Sequence, residues 1–331
     1  MSREAGPEPR AGGAARMWVL TGLAALAPLS WGTTYLVTTE FLPPERPLLS
    51  GVLRALPAGL LLVLFTRTLP RGTWWWRAAV LGTLNIGAFF ALLFLAAYRL
   101  PGGVAAILNS AQPLIVVALA LVLLGERPTS WRLGWAVAGV AGVALMVLRG
   151  QLVLDAVGIV AGLGGAAAMA SGVVLSKRWG RPAGVGVAAY TGWLLTAGGL
   201  VLLPVAWIVE GSPPAIDLAA LGGYAYLSVI GTLLAYLVWF HGLSKLPVAG
   251  VSFLGLLSPM MATALGWIVL DEVLSPLQVA GFALALLATA ASQLTPESVR
   301  ALQRPRPQNL HAEPENTPES IAIRDAARQQ H

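Results

Sequence analysis

Ten apolar stretches constrain this chain before any motif does. They cover residues 17–39, 47–66, 75–97, 101–123, 130–148, 155–176, 185–209, 218–240, 248–270 and 275–294. Each is near the ~20 residues that a helix needs to cross ~30 Å of hydrocarbon. Hydrophobic residues make up 56% of the chain and charged residues 11%, against roughly 25% charged in a soluble domain. Such a chain cannot cover itself with polar surface. In lipid the backbone must satisfy its own hydrogen bonds, so the spans are helices. The expected fold class is an all-α polytopic membrane protein of ten transmembrane helices. The first stretch has no convincing cleavage site and leads straight into a helical hairpin, so it reads as a retained span. Residues 1–16 and 295–331 are polar and proline-bearing and are expected to be disordered tails.

Charge sets the orientation. With a cytoplasmic N-terminus, 17 of the 21 basic residues fall on the cytoplasmic side, and only Arg46, Arg99 and Arg149 fall outside. The remaining one, Arg54, lies within the second stretch. This asymmetry predicts both termini on the cytoplasmic side. It also accounts for the net charge of +6 without invoking nucleic acid.

A long echo runs through the chain. Leu100–Glu126, LPGGVAAILNSAQPLIVVALALVLLGE, aligns without a gap with Leu246–Glu272, LPVAGVSFLGLLSPMMATALGWIVLDE. Pro113 pairs with Pro259 and Glu126 with Glu272. An odd number of spans per half turns the second copy upside down. Residues 17–148 and 155–294 therefore read as two inverted five-helix repeats, an arrangement that transporters use around a midplane site.

Several chemistries are missing. The chain has no Cys, no P-loop, no HExxH and no GxSxG, and two of its three histidines lie in the tail. An ATP motor within this chain, a thiolate metal site and hydrolysis are thus not expected, and no cofactor or metal is assigned. A membrane-embedded lipid-modifying enzyme would need clustered His, Asp or Glu facing one membrane side. A structural scaffold would have no need of mirrored prolines.

The polar and aromatic groups within the spans are few. Pro113 and Pro259 lack the N–H that would bond the carbonyls of Asn109 and Gly255. They read as symmetry-related hinges, or more plainly as static kinks. Asn109 and Gln112 share one face three residues apart, and Asn85 and Phe89 form an i,i+4 pair. Trp31, Thr34 and Thr38 make a stripe. Tyr236, Trp239 and Phe240 lie on the eighth span, and Tyr190 and Trp193 on the seventh; such aromatics suit packing or an apolar cavity. Arg54 is costly in lipid, ~2.5 kcal/mol or more. It can snorkel, pair with a helix terminus, or face a cavity and attract a carboxylate. No Asp or Glu lies mid-span, so a proton-linked cycle would need another group, such as His241. Ser275-Pro276-Leu277-Gln278 reads as a capping box, with Glu126 and Glu272 as junction residues. Gly134, Ala138 and Gly142 make a small-residue stripe for helix packing or self-association. Trp74, Trp75 and Trp76 read as an interfacial anchor.

These features, in this order, resemble the drug/metabolite transporter superfamily in its ten-helix EamA branch. WGTTYL at Trp31–Leu36, LRALPAG at Leu53–Gly59 and the paired LP…P…E segments carry the resemblance, together with the GERPTSWRLGWAVAGVAG and DEVLSPLQVAGFALA that follow them. Within that branch the chain is similar to bacterial exporters of amino acids, including aromatic ones. The resemblance implies a basket of two inverted repeats around a central cavity, with helices 5 and 10 away from it. It implies gating by helices 3, 4, 8 and 9, hence hinge roles for Pro113 and Pro259. It brings Asn85, Phe89, Asn109, Gln112, Tyr236 and Ser258 near the pathway. The small-multidrug cousins use a membrane-embedded glutamate, which this chain lacks. The expectation is a secondary or facilitative exporter of amino acids or similar metabolites, alone or as a weak homodimer in its lipids. A nucleotide-sugar or drug carrier is the alternative.

Overall fold

The structure is a computed structural model. It describes residues 11–100, 108–147, 155–269 and 275–294. Pro101, Glu272, Arg149 and nearly all of both tails lie outside that set, so their expected roles have no structural counterpart here.

Among the described residues every regular element is helical. In chain order they are α1 Ala11–Phe41, α2 Pro47–Thr66, α3 Trp74–Gly82, α4 Ala88–Arg99, α5 Gln112–Leu124, α6 Ser130–Val147 and α7 Ala156–Trp179. Then come α8 Val187–Glu210, α9 Leu218–Ser228, α10 Ala235–Lys245, α11 Val248–Leu254, α12 Leu257–Val269 and α13 Pro276–Gln293. Among the described residues, seven continuous stretches are long and apolar enough to cross a membrane; Leu108–Leu124 and Ser130–Met146 are shorter apolar helices. The protein is a polytopic, all-helical membrane protein. Its helices follow the expected stretches closely, with one difference at the start. α1 reaches back to Ala11, into the stretch 1–16 expected to be disordered. The AGGAAR that opens it carries no proline, and its alanines favour the helix.

Local chemistry sets several helix ends. Pro47 opens α2 in its first turn, where its missing N–H costs nothing. The N–H groups of Leu48 and Leu49 donate to the two carboxylate oxygens of Glu210, at 2.6 and 2.8 Å. Asp155 and Asp217 cap α7 and α9 through Gly158 N–H and Ala220 N–H, both at 2.7 Å. The capping box at α13 forms as read: Ser275 N–H donates to Gln278 Oε1 at 2.9 Å, and Gln278 N–H to Ser275 Oγ at 3.3 Å. Gly125 closes α5 in the left-handed region at φ 68°, and Glu126 N–H reaches back to the Ala120 carbonyl at 3.2 Å. The Gly125 N–H bonds the same carbonyl, so the helix closes on Ala120 and Glu126 stands at the junction after it.

Two pairs of helices about one repeat length apart pack on each other. α2 lies on α8, where a side chain on Gly59 would collide with the Thr196 backbone and one on Gly199 would meet Leu56. α6 lies on α13 around Gly142 and Gly281, each too close to the other's backbone to bear a Cβ. There Trp131 Nε1 donates to the Ala291 carbonyl at 2.9 Å and Gln278 Nε2 to the Met146 carbonyl at 3.1 Å. The α6 stripe differs from expectation by one face. Gly134 is exposed with open space around it, and Gly139 joins Gly142 against α11–α13. These two helices contribute to a separate apolar cluster with α11 and α12, outside the main core. Trp75 and Trp76 point outward, 58% and 50% exposed, as an interfacial anchor would. Trp74 turns inward against Tyr190 and Trp193.

Candidate functional site

Two π-helical turns interrupt the third and eighth spans. One covers Thr83–Gly87 between α3 and α4, the other Val229–Leu234 between α9 and α10. They begin 146 residues apart, the offset of the sequence echo. In each, the next N–H skips a carbonyl. Ala88 N–H bonds Thr83 rather than Leu84, and Ala235 N–H bonds Ile230 rather than Gly231. Turns of this kind are rare and gather at functional sites.

The Gly231 carbonyl so bypassed is taken by side chains. Arg54 Nη2 donates to it at 2.9 Å and Trp31 Nε1 at 3.1 Å. Arg54 Nε donates to Thr232 Oγ1 at 3.0 Å, and its guanidinium lies 5.1 Å over the Phe90 ring. Arg54 is 6% exposed. Of the three fates open to it, it pairs with backbone: it neither snorkels nor stays unsatisfied, as a buried cation must not.

From this clamp an aromatic column runs along α1, α8 and α10. Trp31 packs on Tyr236 and Trp239, at centroid distances of 5.2 and 5.1 Å. Tyr236 packs on Phe240 at 5.7 Å, and Phe240 meets Tyr190 edge-on at 5.5 Å. The indole N–H of Trp239, 1% exposed, has no acceptor. Leaving such a donor unmade costs about 1–3 kcal/mol. The hydroxyl of Thr34 is likewise buried and unpartnered.

The column ends at a vestibule of about 570 Å³. Its walls come from the end of α7, the 180–186 loop, the start of α8 and the end of α10; Tyr190 and Phe240 form its floor. Lys177, Arg181 and Lys245 supply positive charge. Lys177 is engaged: its ammonium donates to the carbonyls of Leu243 and Leu246, at 3.1 and 2.8 Å, an end-of-helix cap. Arg181 and Lys245 are exposed. The hydroxyls of Ser176 and Tyr190 sit beside one another, both buried.

The mirrored prolines build a second feature. Neither sits mid-helix. The chain turns at Ala111 before α5 and at Gly255-Leu256 before α12, and each proline falls in the first turn of the new helix. The two breaks face a cavity of about 40 Å³ lined by Asn109, Ser110, Gln112, Pro113, Ser252, Gly255, Leu256, Ser258 and Pro259. One expectation fails here. The Gly255 carbonyl is not released, because Ser258 N–H bonds it at 3.1 Å as the turn tightens. The Asn109 amide oxygen is buried without a partner.

The expected residues thus divide. Trp31, Arg54, Tyr190, Tyr236 and Trp239 join one column. Asn109, Gln112, Pro113, Ser258 and Pro259 join the paired breaks. α1 touches both, since Gly32 lies against the Ser258 carbonyl. Asn85 stands apart: fully buried in the first π-turn, it donates to the Leu81 carbonyl at 2.8 Å and presses on Gly172. Phe89 packs on Phe90, beneath Arg54. Arg181 and Lys245 sit in loops before the seventh and after the eighth stretch, and Ser176 ends the sixth; sequence reasoning assigned none of the three to a site. It also missed both π-turns, which no residue marks. Among the described residues no group of three or more His, Asp or Glu gathers as a metal-ligand set.

Similarity to known proteins agrees with this architecture. The EamA-like transporter family matches the chain twice, over residues 18–148 and 156–292. Protein PecM of Dickeya dadantii is 48% identical over 262 residues, covering 79% of this chain and 88% of PecM. A probable amino-acid metabolite efflux pump of Salmonella typhimurium is 26% identical over 275 residues, covering 78% of this chain and 89% of the pump. One crystal structure superposes with a TM-score of 0.72 at 20% identity, covering 86% of this chain and 99% of that one, a likeness of fold. The two family matches, falling one on each half of a helical membrane bundle, make this chain a member of the EamA-like transporter family.

Proposed function

We propose that this transporter exports amino acids or closely related small metabolites from the cytoplasm by alternating access. The observation that carries the reading is the vestibule of about 570 Å³ whose aromatic floor continues as a column to Arg54. It lies on the arginine-rich face, which the charge asymmetry assigns to the cytoplasm. A bacterial relative is named an amino-acid metabolite efflux pump, which favours this substrate range. Farther along α1, Thr33 Oγ1 and Tyr226 OH meet at 2.9 Å, and with the Gly231 clamp they would form the outer closure. The cycle would open that closure while the vestibule narrows. Pro113 and Pro259 would act as paired hinges. The inverted five-helix halves, supported by the matched π-turns and the packing of counterpart helices, supply two related conformations.

The test is flux in liposomes carrying the purified full chain, without ATP. Radiolabelled Phe, Thr and a nucleotide sugar are compared, with and without a pH gradient. Movement of Phe or Thr but not the nucleotide sugar supports the reading. Movement of the nucleotide sugar alone contradicts it in favour of the other carrier class. A dependence on the pH gradient separates proton-linked from facilitative transport.

A further inference from the structure

We propose that the preferred substrate is a net-anionic carboxylate with an apolar or aromatic body, its amino group blocked or absent. The inference rests on the exporter reading above and narrows it.

The charge inventory argues for it. A zwitterionic amino acid brings an ammonium as well as a carboxylate, and a site that holds both normally offers an acidic partner. The vestibule lining contains Lys177, Arg181 and Lys245 and no Asp or Glu. The charge of Glu126 acts on Lys177 from outside that lining. The column beyond consists of Tyr190, Phe240, Tyr236, Trp31 and Trp239. It ends at Arg54, again a cation. No acidic residue occurs in the interior of any apolar stretch.

The unsatisfied groups along this route agree. Trp239 Nε1 can only donate, and it is buried without an acceptor. The hydroxyls of Ser176 and Tyr190 lie beside one another and that of Thr34 is buried without a partner; all three can donate as well as accept. A carboxylate offers about four acceptor sites for such groups, and an ammonium offers none. Among the described residues, the buried and unpartnered amide oxygens of Asn85 and Asn109 can only accept. The first is pressed against Gly172 and the second belongs to the paired breaks. Both are neutral and cannot balance a charge. The aromatic walls would accept the apolar body, and exposed Arg181 and Lys245 would gather the anion at the mouth.

Three tracers of one shape decide the matter in liposomes carrying the full chain: N-acetyl-phenylalanine, phenylalanine and phenethylamine. The expected order puts N-acetyl-phenylalanine at least about tenfold ahead of phenylalanine, with phenethylamine at background. The double variant Arg181→Gln, Lys245→Gln should slow N-acetyl-phenylalanine entry about fivefold or more at low salt. It should also flatten the salt dependence of that flux. Equal or faster phenylalanine flux overturns the proposal while leaving the amino-acid exporter intact. It would mean that the aromatic faces hold the ammonium themselves. Flux of none of the three above protein-free liposomes overturns both readings. If the double variant does not fold, the wild-type order decides alone.

Discussion

Trp239 and Arg54 occupy opposite situations in one column. Arg54 has every incentive to stay where it is, with a carbonyl, a hydroxyl and a ring around it. Trp239 keeps an N–H with nothing to bond. These situations predict different variants. Trp239→Phe removes the orphan donor, so it should leave thermal stability within about 1 kcal/mol of wild type or raise it. Its half-saturation for a transported carboxylate should rise severalfold. Arg54→Gln should lower thermal stability and raise half-saturation, because Gly231 loses a charged donor and the route loses its inner cation. Paired thermal unfolding and transport titrations check this. A Trp239→Phe protein that is destabilised with unchanged half-saturation would assign the indole to packing. The sequence named both residues, since an arginine inside an apolar stretch stands out by cost alone. It could not name the partner of Arg54. Gly231 is 177 positions away and becomes an acceptor only because a π-turn skips its carbonyl. Glu210 is similar: a residue at a span end, it turns out to cap α2 across 162 positions.

The helices themselves were legible almost residue by residue, because hydrocarbon thickness fixes their length and lipid forbids any other backbone. Their interruptions were not. A mid-stretch proline reads as a kink in a continuous helix. In the structure each proline instead starts a new helix after a short turn, and the two starts share a cavity. The difference matters for motion. A kinked helix bends as one piece, whereas two helices joined at Gly255-Leu256 can reorient by a few backbone torsions. Replacing Pro113 and Pro259 with Ala lets each break close into one continuous helix. The expected result is a turnover several times slower, with unfolding temperature unchanged or raised. Stopped-flow flux and a melting curve on the same preparation check it. Wild-type turnover in the double variant would remove the hinge role. The stripe on α6 shows the limit of period counting. Spacing of four selects Gly134, but Gly139 and Gly142 meet α11–α13, because the crossing geometry, not the spacing, chooses the face.

At the scale of the whole protein, the echo, the two π-turns and the counterpart helix contacts recur at about one offset. The proposed inverted duplication would account for all three together. A scaffold has no use for such a pair, and a transporter needs two related states. The arrangement described here has a vestibule on the basic face and a Thr33–Tyr226 contact toward the other. Alternation requires the reverse arrangement to exist and substrate to drive exchange between them. Because the chain has no Cys, single cysteines report accessibility without background. Ser176→Cys places one in the vestibule wall and Thr33→Cys one at the opposite closure. The decisive measurement is their labelling by a membrane-impermeant thiol reagent, each applied from its own side of the membrane, with and without saturating substrate. The account predicts opposite responses in transport-active variants: labelling at 176 falls while labelling at 33 rises. Rates that stay the same, or move together, would contradict alternating access.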